Sequence, residues 1–152
     1  MQTRYPASDS NSANPLRLSG SLQFCQFMSE DGSQISVSLD TLYSDQPTLA
    51  ALAFLQKPRA ETAPPGFNPG RFYCSQLGGT DVFGDENSPA GGWILDESQK
   101  ADTFYVMQTC IFSDLSTIDS FGLFYNANNI VRGTDLSKLL RFQLQASPTP
   151  SR

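Results

Sequence analysis

Apolar and polar positions alternate with a period of two over the first third of the chain. Leu16, Leu18, Leu22, Phe24 and Met28 share one parity, and Arg17, Ser19, Ser21 and Gln23 share the other. After Glu30-Asp31-Gly32-Ser33, the residues Ile35, Val37, Leu39 and Tyr43 alternate with Gln34, Ser36, Ser38 and Asp40. Two alternating runs around an Asp-Gly pair predict a β-hairpin. Cys25 is out of phase with Phe24 and falls on the face of Phe27. The spacing then changes to helical. Ser44 or Asp45 can cap, Pro47 suits a first turn, and Leu49, Leu52, Ala53 and Gln56 repeat at helical intervals until Pro58.

The second half has its own punctuation. Asn68-Pro69 reads as a cap and a first-turn proline, and "GRFYCSQL" follows as two helical turns. Gly78 is placed to stop that helix in the left-handed conformation. Strands are expected on either side of an acidic, Gly-rich loop near 84–92, and across "TFYVMQTCIF" at 103–112. A helix is expected from Ser116, with Asp119 as an acidic variant of the capping box and a stripe of Leu115, Ile118, Phe121 and Tyr125. Leu140, Phe142 and Leu144 suggest a closing strand. The fold class predicted is α+β: an antiparallel sheet of about five strands packed with about three helices. Residues 1–14 read as a flexible polar arm, 15–145 as one domain and 146–152 as a tail. Within the domain, 15–57 form a hairpin-helix half, 58–67 a Pro-rich connector and 68–145 a second half.

Composition narrows the chemistry. The chain has 152 residues, 39% of them hydrophobic, with a net charge of −5. Its few basic residues are scattered, which argues against a nucleic-acid groove. No apolar run is long enough to span a membrane. The polar N-terminus lacks a signal-peptide core. The chain is therefore either cytoplasmic or the mature form of a processed envelope protein. There is no histidine, which removes Ser-His-Asp and Cys-His catalysis and histidine-ligated metals. The three cysteines contain no Cys-x-x-Cys pair, and no phosphate-loop pattern occurs. No cofactor or metal is expected.

Residues 68–128 resemble a small bacterial domain family that carries a hemolysin label and has no established activity. The resemblance rests on Asn68-Pro69, Tyr73-Cys74, Gly78-Gly79 and Gly91-Gly92, then on Cys110-Ile111-Phe112-Ser113-Asp114-Leu115-Ser116, with Asp119 and Phe121 after it. That family has Pro and Gly where this chain has Ser113 and Leu115, a further cysteine at Ile118 and a tryptophan at Phe121. The resemblance implies a cell-envelope protein without established catalysis.

Cys74 and Cys110 could form a disulfide joining helix to strand, worth roughly 3 to 4 kcal/mol by chain entropy. A redox pair or, in the cytosol, two buried thiols are the alternatives. Cys25 is left over. Asp81, Asp85, Glu86 and Asn87 offer oxygen ligands, but not at EF-hand spacing, so a solvated acidic loop is preferred to a calcium site. Asp96-Glu97 and Asp114/Asp119 read as adjacent or capping carboxylates rather than acid–base pairs. Phe121, Phe124 and Tyr125 with Phe72, Tyr73 and Trp93 read as core rather than as a ligand groove. The expected function is a non-enzymatic binding or accessory protein of the bacterial cell envelope, acting through protein–protein contacts. Its expected surface is the loop carrying Asp85, Glu86, Asn87, Gly91, Gly92 and Trp93, with the sheet edge. A protease-inhibitor-like module with a disulfide-braced loop is the first alternative, and a cytoplasmic accessory subunit of a larger complex the second. A carboxylate enzyme acting on glycans ranks last.

Overall fold

The computed structural model describes residues 2–7, 22–82, 92–94 and 108–144. Seven strands within these residues form one antiparallel sheet: β1 Gln2–Ala7, β2 Leu22–Met28, β3 Gln34–Ser38, β4 Thr80–Val82, β5 Gly92–Ile94, β6 Thr109–Ile111 and β7 Thr117–Asp119. Their spatial order is β4-β6-β7-β3-β2-β1-β5. Four helices accompany them: α1 Leu39–Tyr43, α2 Leu49–Gln56, α3 Pro69–Gln76 and α4 Ser120–Ala127. A 3-10 turn follows at Leu136–Lys138. The α+β class, the antiparallel sheet and the early hairpin follow the sequence pattern. The strand count exceeds five because Gln2–Ala7, within the stretch expected as a flexible arm, pairs with β2 and β5, and Thr117–Asp119, expected in a helix, pairs with β6 and β3.

The β2–β3 hairpin pairs Met28 with Gln34 and Cys25 with Val37. Val37 also pairs with Ile118, and Ile118 with Cys110, so the ladder crosses from the first half of the chain to the second. Side chains in one such row share a face. This face carries Ile35, Val37, Ile118 and Cys110, all buried beneath α2, α3 and α4. Phe24, Ser36, Ser38, Thr109 and Thr117 have the other parity and are also buried.

Local chemistry explains the helices. Thr48, not Ser44 or Asp45, caps α2: its hydroxyl accepts from the Ala51 N–H at 3.1 Å. Pro47 therefore lies outside the helix, and the buried face is Ala50, Ala51, Ala53 and Phe54 rather than the leucines. At α3 the Asn68 side chain accepts from Arg71 N–H at 3.0 Å, and Pro69 takes the first position. Phe67, just before the cap, meets Phe72 edge-on at 6.2 Å, a hydrophobic staple across the helix start. Gln76 grips the connector in both directions, donating to Arg59 C=O at 2.7 Å and accepting from Glu61 N–H at 2.9 Å.

Three further expectations need correction. The alternation through Tyr43 does not remain a strand: β3 ends at Ser38, and Leu39 and Leu42 are three apart on α1, with only Leu42 fully buried. The helix from Ser116 begins instead at Ser120, because Thr117–Asp119 is drawn into the sheet between β6 and β3. Leu115 and Ile118 are therefore no part of a helical stripe. Residues 140–144 form no strand: Leu140 N–H bonds to Leu136 C=O at 2.8 Å, closing the 3-10 turn, and Arg141 makes one backbone bond to Leu42 C=O.

Helix α4 crosses β3 at Gly122, where a Cβ would lie 2.5 Å from Ile35 Cδ1 and 2.6 Å from Cγ1. Overpacking of this kind outweighs the helix-propensity gain of alanine. Gly122→Ala is expected to lower stability by about 1–3 kcal/mol in urea unfolding. Adding Ile35→Ala should recover part of the loss of the first change, giving a non-additive double-mutant cycle.

Candidate functional site

Cys74 and Cys110 are joined by a disulfide, with Cα atoms 5.6 Å apart and both residues fully buried. Cys25 is a free, half-buried thiol. The end of α3 delivers Cys74 to β6. Gly78 N–H bonds to Ser75 C=O at 3.0 Å and Gly79 N–H to Cys74 C=O at 2.9 Å, with Gly78 at φ +85°. This is the Schellman arrangement, and it needs glycine at the left-handed position. Gly79 has a separate role. A Cβ there would collide with Cys110 Sγ and lie 3.1 Å from Cys74 Sγ, so the sulfur bridge occupies the space of the missing side chain.

Cys110 opens the β6–β7 hairpin, and its turn is built like that of β2–β3. In the first hairpin, Ser29 N–H bonds to Ser33 C=O at 3.0 Å and Gly32 N–H to Ser29 C=O at 3.0 Å. In the second, Phe112 N–H bonds to Ser116 C=O at 3.0 Å and Leu115 N–H to Phe112 C=O at 2.8 Å. Asp31 Oδ1 accepts from Ser33 N–H and Oγ–H at 2.9 and 2.7 Å. Asp114 Oδ1 accepts from Ser116 N–H and Oγ–H at 3.0 and 2.5 Å. Both turns end with a left-handed residue, Gly32 at φ +84° and Leu115 at φ +68°. Left-handed backbone is unstrained for glycine and costs a leucine roughly 1–2 kcal/mol. Leu115 is nevertheless 63% exposed.

The second turn also caps a distant helix. Asp114 Oδ2 accepts from Leu49 N–H at 2.8 Å and Ser116 Oγ accepts from Ala50 N–H at 3.0 Å. With Thr48, three of the four free N–H groups at the start of α2 are satisfied. A third Asp-x-Ser unit, Asp135 with Ser137, caps the 3-10 turn. The electrostatics follow the bonding. Hydrogen bonds from Ser29 and Ser33 hold Asp31 at about 2. Burial pushes Asp114 up, but bonds from Ser116 and from Leu49 N–H overcome it and lower its pKa. The Ser137 hydroxyl lowers that of Asp135. Asp119 differs: burial dominates and pushes its carboxyl up to about 6, against bonds from Gly122, Phe121 and Ser36 N–H groups and the charge of Arg132.

The other sequence candidates are dispersed. Asp81 is buried on β4, accepting from Ser120 Oγ at 2.5 Å and Gln108 Nε2 at 3.1 Å. Asp114 holds a turn and Asp119 caps α4 through Gly122 N–H at 2.9 Å, so each has a structural task. Tyr125 packs against Phe121 at 6.2 Å and against Phe124 at 5.6 Å, and Phe124 meets Tyr73 at 6.3 Å. Gly92 and Trp93 lie on β5, opposite Ala7 and Pro6. Asp85, Glu86, Asn87 and Gly91, with Asp96 and Glu97, lie outside the described residues. Among the described residues no three His, Cys, Asp or Glu side chains converge as a metal nest, and no helix is long and apolar enough to cross a membrane. Comparison with protein-family models, with curated proteins and with solved structures returns no match to this chain.

Two tests address this unit. Gly79→Ala is expected to block the sulfur bridge. Intact mass after alkylation without reductant should then count three labelled thiols in place of one, with a stability loss of about 3–4 kcal/mol. The second test concerns acid. A carboxylate whose folded pKa is lowered stabilises the fold above its unfolded pKa and loses that contribution as pH falls through the folded value. Asp114→Asn should therefore lower the urea midpoint at pH 7 and flatten its decline below about pH 4. An unchanged acid limb would dissociate Asp114 from the cap.

Proposed function

We propose that this chain is a non-enzymatic binding or accessory protein of the bacterial cell envelope, acting through protein–protein contacts. The observation that carries the reading is Leu115. The same turn occurs twice, and at the position where β2–β3 uses glycine, β6–β7 holds a strained, outward-facing leucine. It gains little burial there to offset its backbone cost. Its turn is rigid, because both Asp114 oxygens are engaged inside the protein. A preorganised apolar side chain loses little entropy on binding and suits the pocket of a protein partner.

The envelope assignment draws on the buried Cys74–Cys110 bond, since disulfides form and persist in oxidising compartments. It also draws on the resemblance of residues 68–128 to the hemolysin-labelled domains. The family's glycine falls at Leu115, where the backbone is left-handed, and its Asp falls at Asp119, the α4 cap. The turn disfavours the inhibitor alternative at this position, because a left-handed residue cannot lie extended in a protease cleft.

The test is Leu115→Gly. The variant should be as stable as the parent or more so, by up to about 1 kcal/mol, since the strain is relieved. It should also fail to retain a protein that the parent captures from envelope extracts. Equal capture by parent and variant would remove Leu115 from the contact. A stability loss would show that the leucine serves the fold.

A further inference from the structure

Residues 57–68 join α2 to α3 and form neither helix nor strand. Lys57 leaves α2 in the left-handed conformation, at φ +48°, and Phe67 N–H closes a turn onto Pro64 C=O at 3.0 Å. Between these two points Arg59, Glu61 and Thr62 are exposed. Exposed segments outside regular structure are where folded chains are nicked by proteases. The segment holds two basic residues, Lys57 and Arg59. Proline after Lys57 fixes φ and removes an N–H, which makes Lys57–Pro58 a poor substrate. Arg59 is followed by the small Ala60 instead.

Helix α3 holds this stretch from one side, through two residues three apart on one face. The Tyr73 hydroxyl donates to Pro58 C=O at 2.5 Å. Gln76 Nε2 donates to Arg59 C=O at 2.7 Å, and Gln76 Oε1 accepts from Glu61 N–H at 2.9 Å. Ala60 packs against the core. The Arg59 side chain is therefore open to recognition, while the carbonyl that a protease must attack is engaged by Gln76. Hydrolysis needs that side chain to let go first.

Topology decides what a cut here does to the protein. The part before the bond supplies β1, β2, β3, α1 and α2, and the part after it supplies the other elements. In the sheet, β3, β2 and β1 lie between β7 and β5, so the second part flanks the first on both sides. Side chains also cross. Asp114 and Ser116 cap α2, the buried Asn126 amide donates to Phe54 C=O at 2.7 Å, and Thr117 N–H donates to Ser38 Oγ at 3.2 Å. The disulfide lies wholly within the second part and Cys25 is free, so no covalent bond joins the two parts once Arg59–Ala60 is broken. We propose that Arg59–Ala60 is a processing site for an endoprotease that cuts after arginine, that Gln76 guards it, and that the cut chain persists as one folded two-chain protein. Hydrolysis adds one water across the bond and leaves an Arg59 carboxylate and an Ala60 amine. The inference rests on the connector and the sheet order, and is independent of the contact assigned to Leu115.

Limited digestion of the native full-length protein with trypsin, with each cut mapped by mass, tests this. Cleavage after Arg59 should be faster than cleavage after Arg71, which lies inside α3 and reports unfolding of the domain. The two parts should elute together in native buffer and separate in denaturant without reductant. Arg59→Gln should abolish the cut and leave the urea midpoint unchanged. Gln76→Ala removes both hydrogen bonds of the guard and should speed the cut after Arg59 by about 10-fold, with the rate after Arg71 unchanged. Cleavage after Arg59 no faster than after Arg71 would overturn the proposal, because the bond would then open only with the whole domain. Two parts that come apart in native buffer would refute the two-chain product. A Gln76→Ala protein cut at the parent's rate would refute the guard.

Discussion

Two sulfur atoms occupy the place of the Gly79 side chain, and much of the second half is arranged around that substitution of space. The bridge fixes the last turn of α3 against β6. Cys110 then sets the register that places Ile118 opposite Val37, where the second half of the chain joins the first. An alanine-sized group at 79 would displace the bridge, and a non-glycine at 78 would strain the turn that aims Gly79 at it. The Gly-Gly pair is thus a single packing solution with two parts, one conformational and one volumetric.

A second constraint is the repeated Asp-x-Ser unit. In the three copies among the described residues (a fourth, Asp96-Glu97-Ser98, lies outside them) one carboxylate oxygen accepts from the backbone and the hydroxyl of the serine two residues on. Such units compete well with regular structure and so appear at turns and caps. The copy at Asp114 does more, because its remaining oxygen and the Ser116 hydroxyl reach the start of α2. One turn therefore ends a hairpin and begins a helix far away in the chain.

That double use explains where sequence reading succeeds and where it stops. The Asn68-Pro69 start and the Gly78 stop of α3 are local signals, and they were legible. So were the Asp31-Gly32 hairpin and the core role of Tyr73 and Phe124. Ser116 was recognisable as a capping residue, but the helix it caps is α2, and nothing within a window around 116 could say so. Thr117–Asp119 carries strand character only because β6 and β3 flank it. Leu140, Phe142 and Leu144 alternate, yet among the described residues no strand pairs with them, and alternation without a ladder leaves a bend. The Asp-x-Ser triplets were visible as a repeat and would have pointed to the second turn. That Leu115 is left-handed follows from the turn being the same as that around Gly32.

The costs the fold tolerates are unevenly distributed. The face of the sheet under α2, α3 and α4 is filled by Ile35, Val37, Ile118 and the disulfide, and Gly122 lets α4 settle closely on it. Strain lies at its margins, in the left-handed Leu115 at one turn and the positive-φ Gly133 after α4, while unpaired buried atoms fall both there, at Arg132 Nε, and within the sheet, at the Thr109 hydroxyl. A stable interior can carry such margins because each defect costs a few kcal/mol at most and the cooperative core does not depend on it. The two margins differ in kind. At Leu115 the turn is fully bonded and rigid, so its strain presents a fixed shape. Around Arg132 the cost is of another sort, a buried donor left without an acceptor beside the positive-φ Gly133.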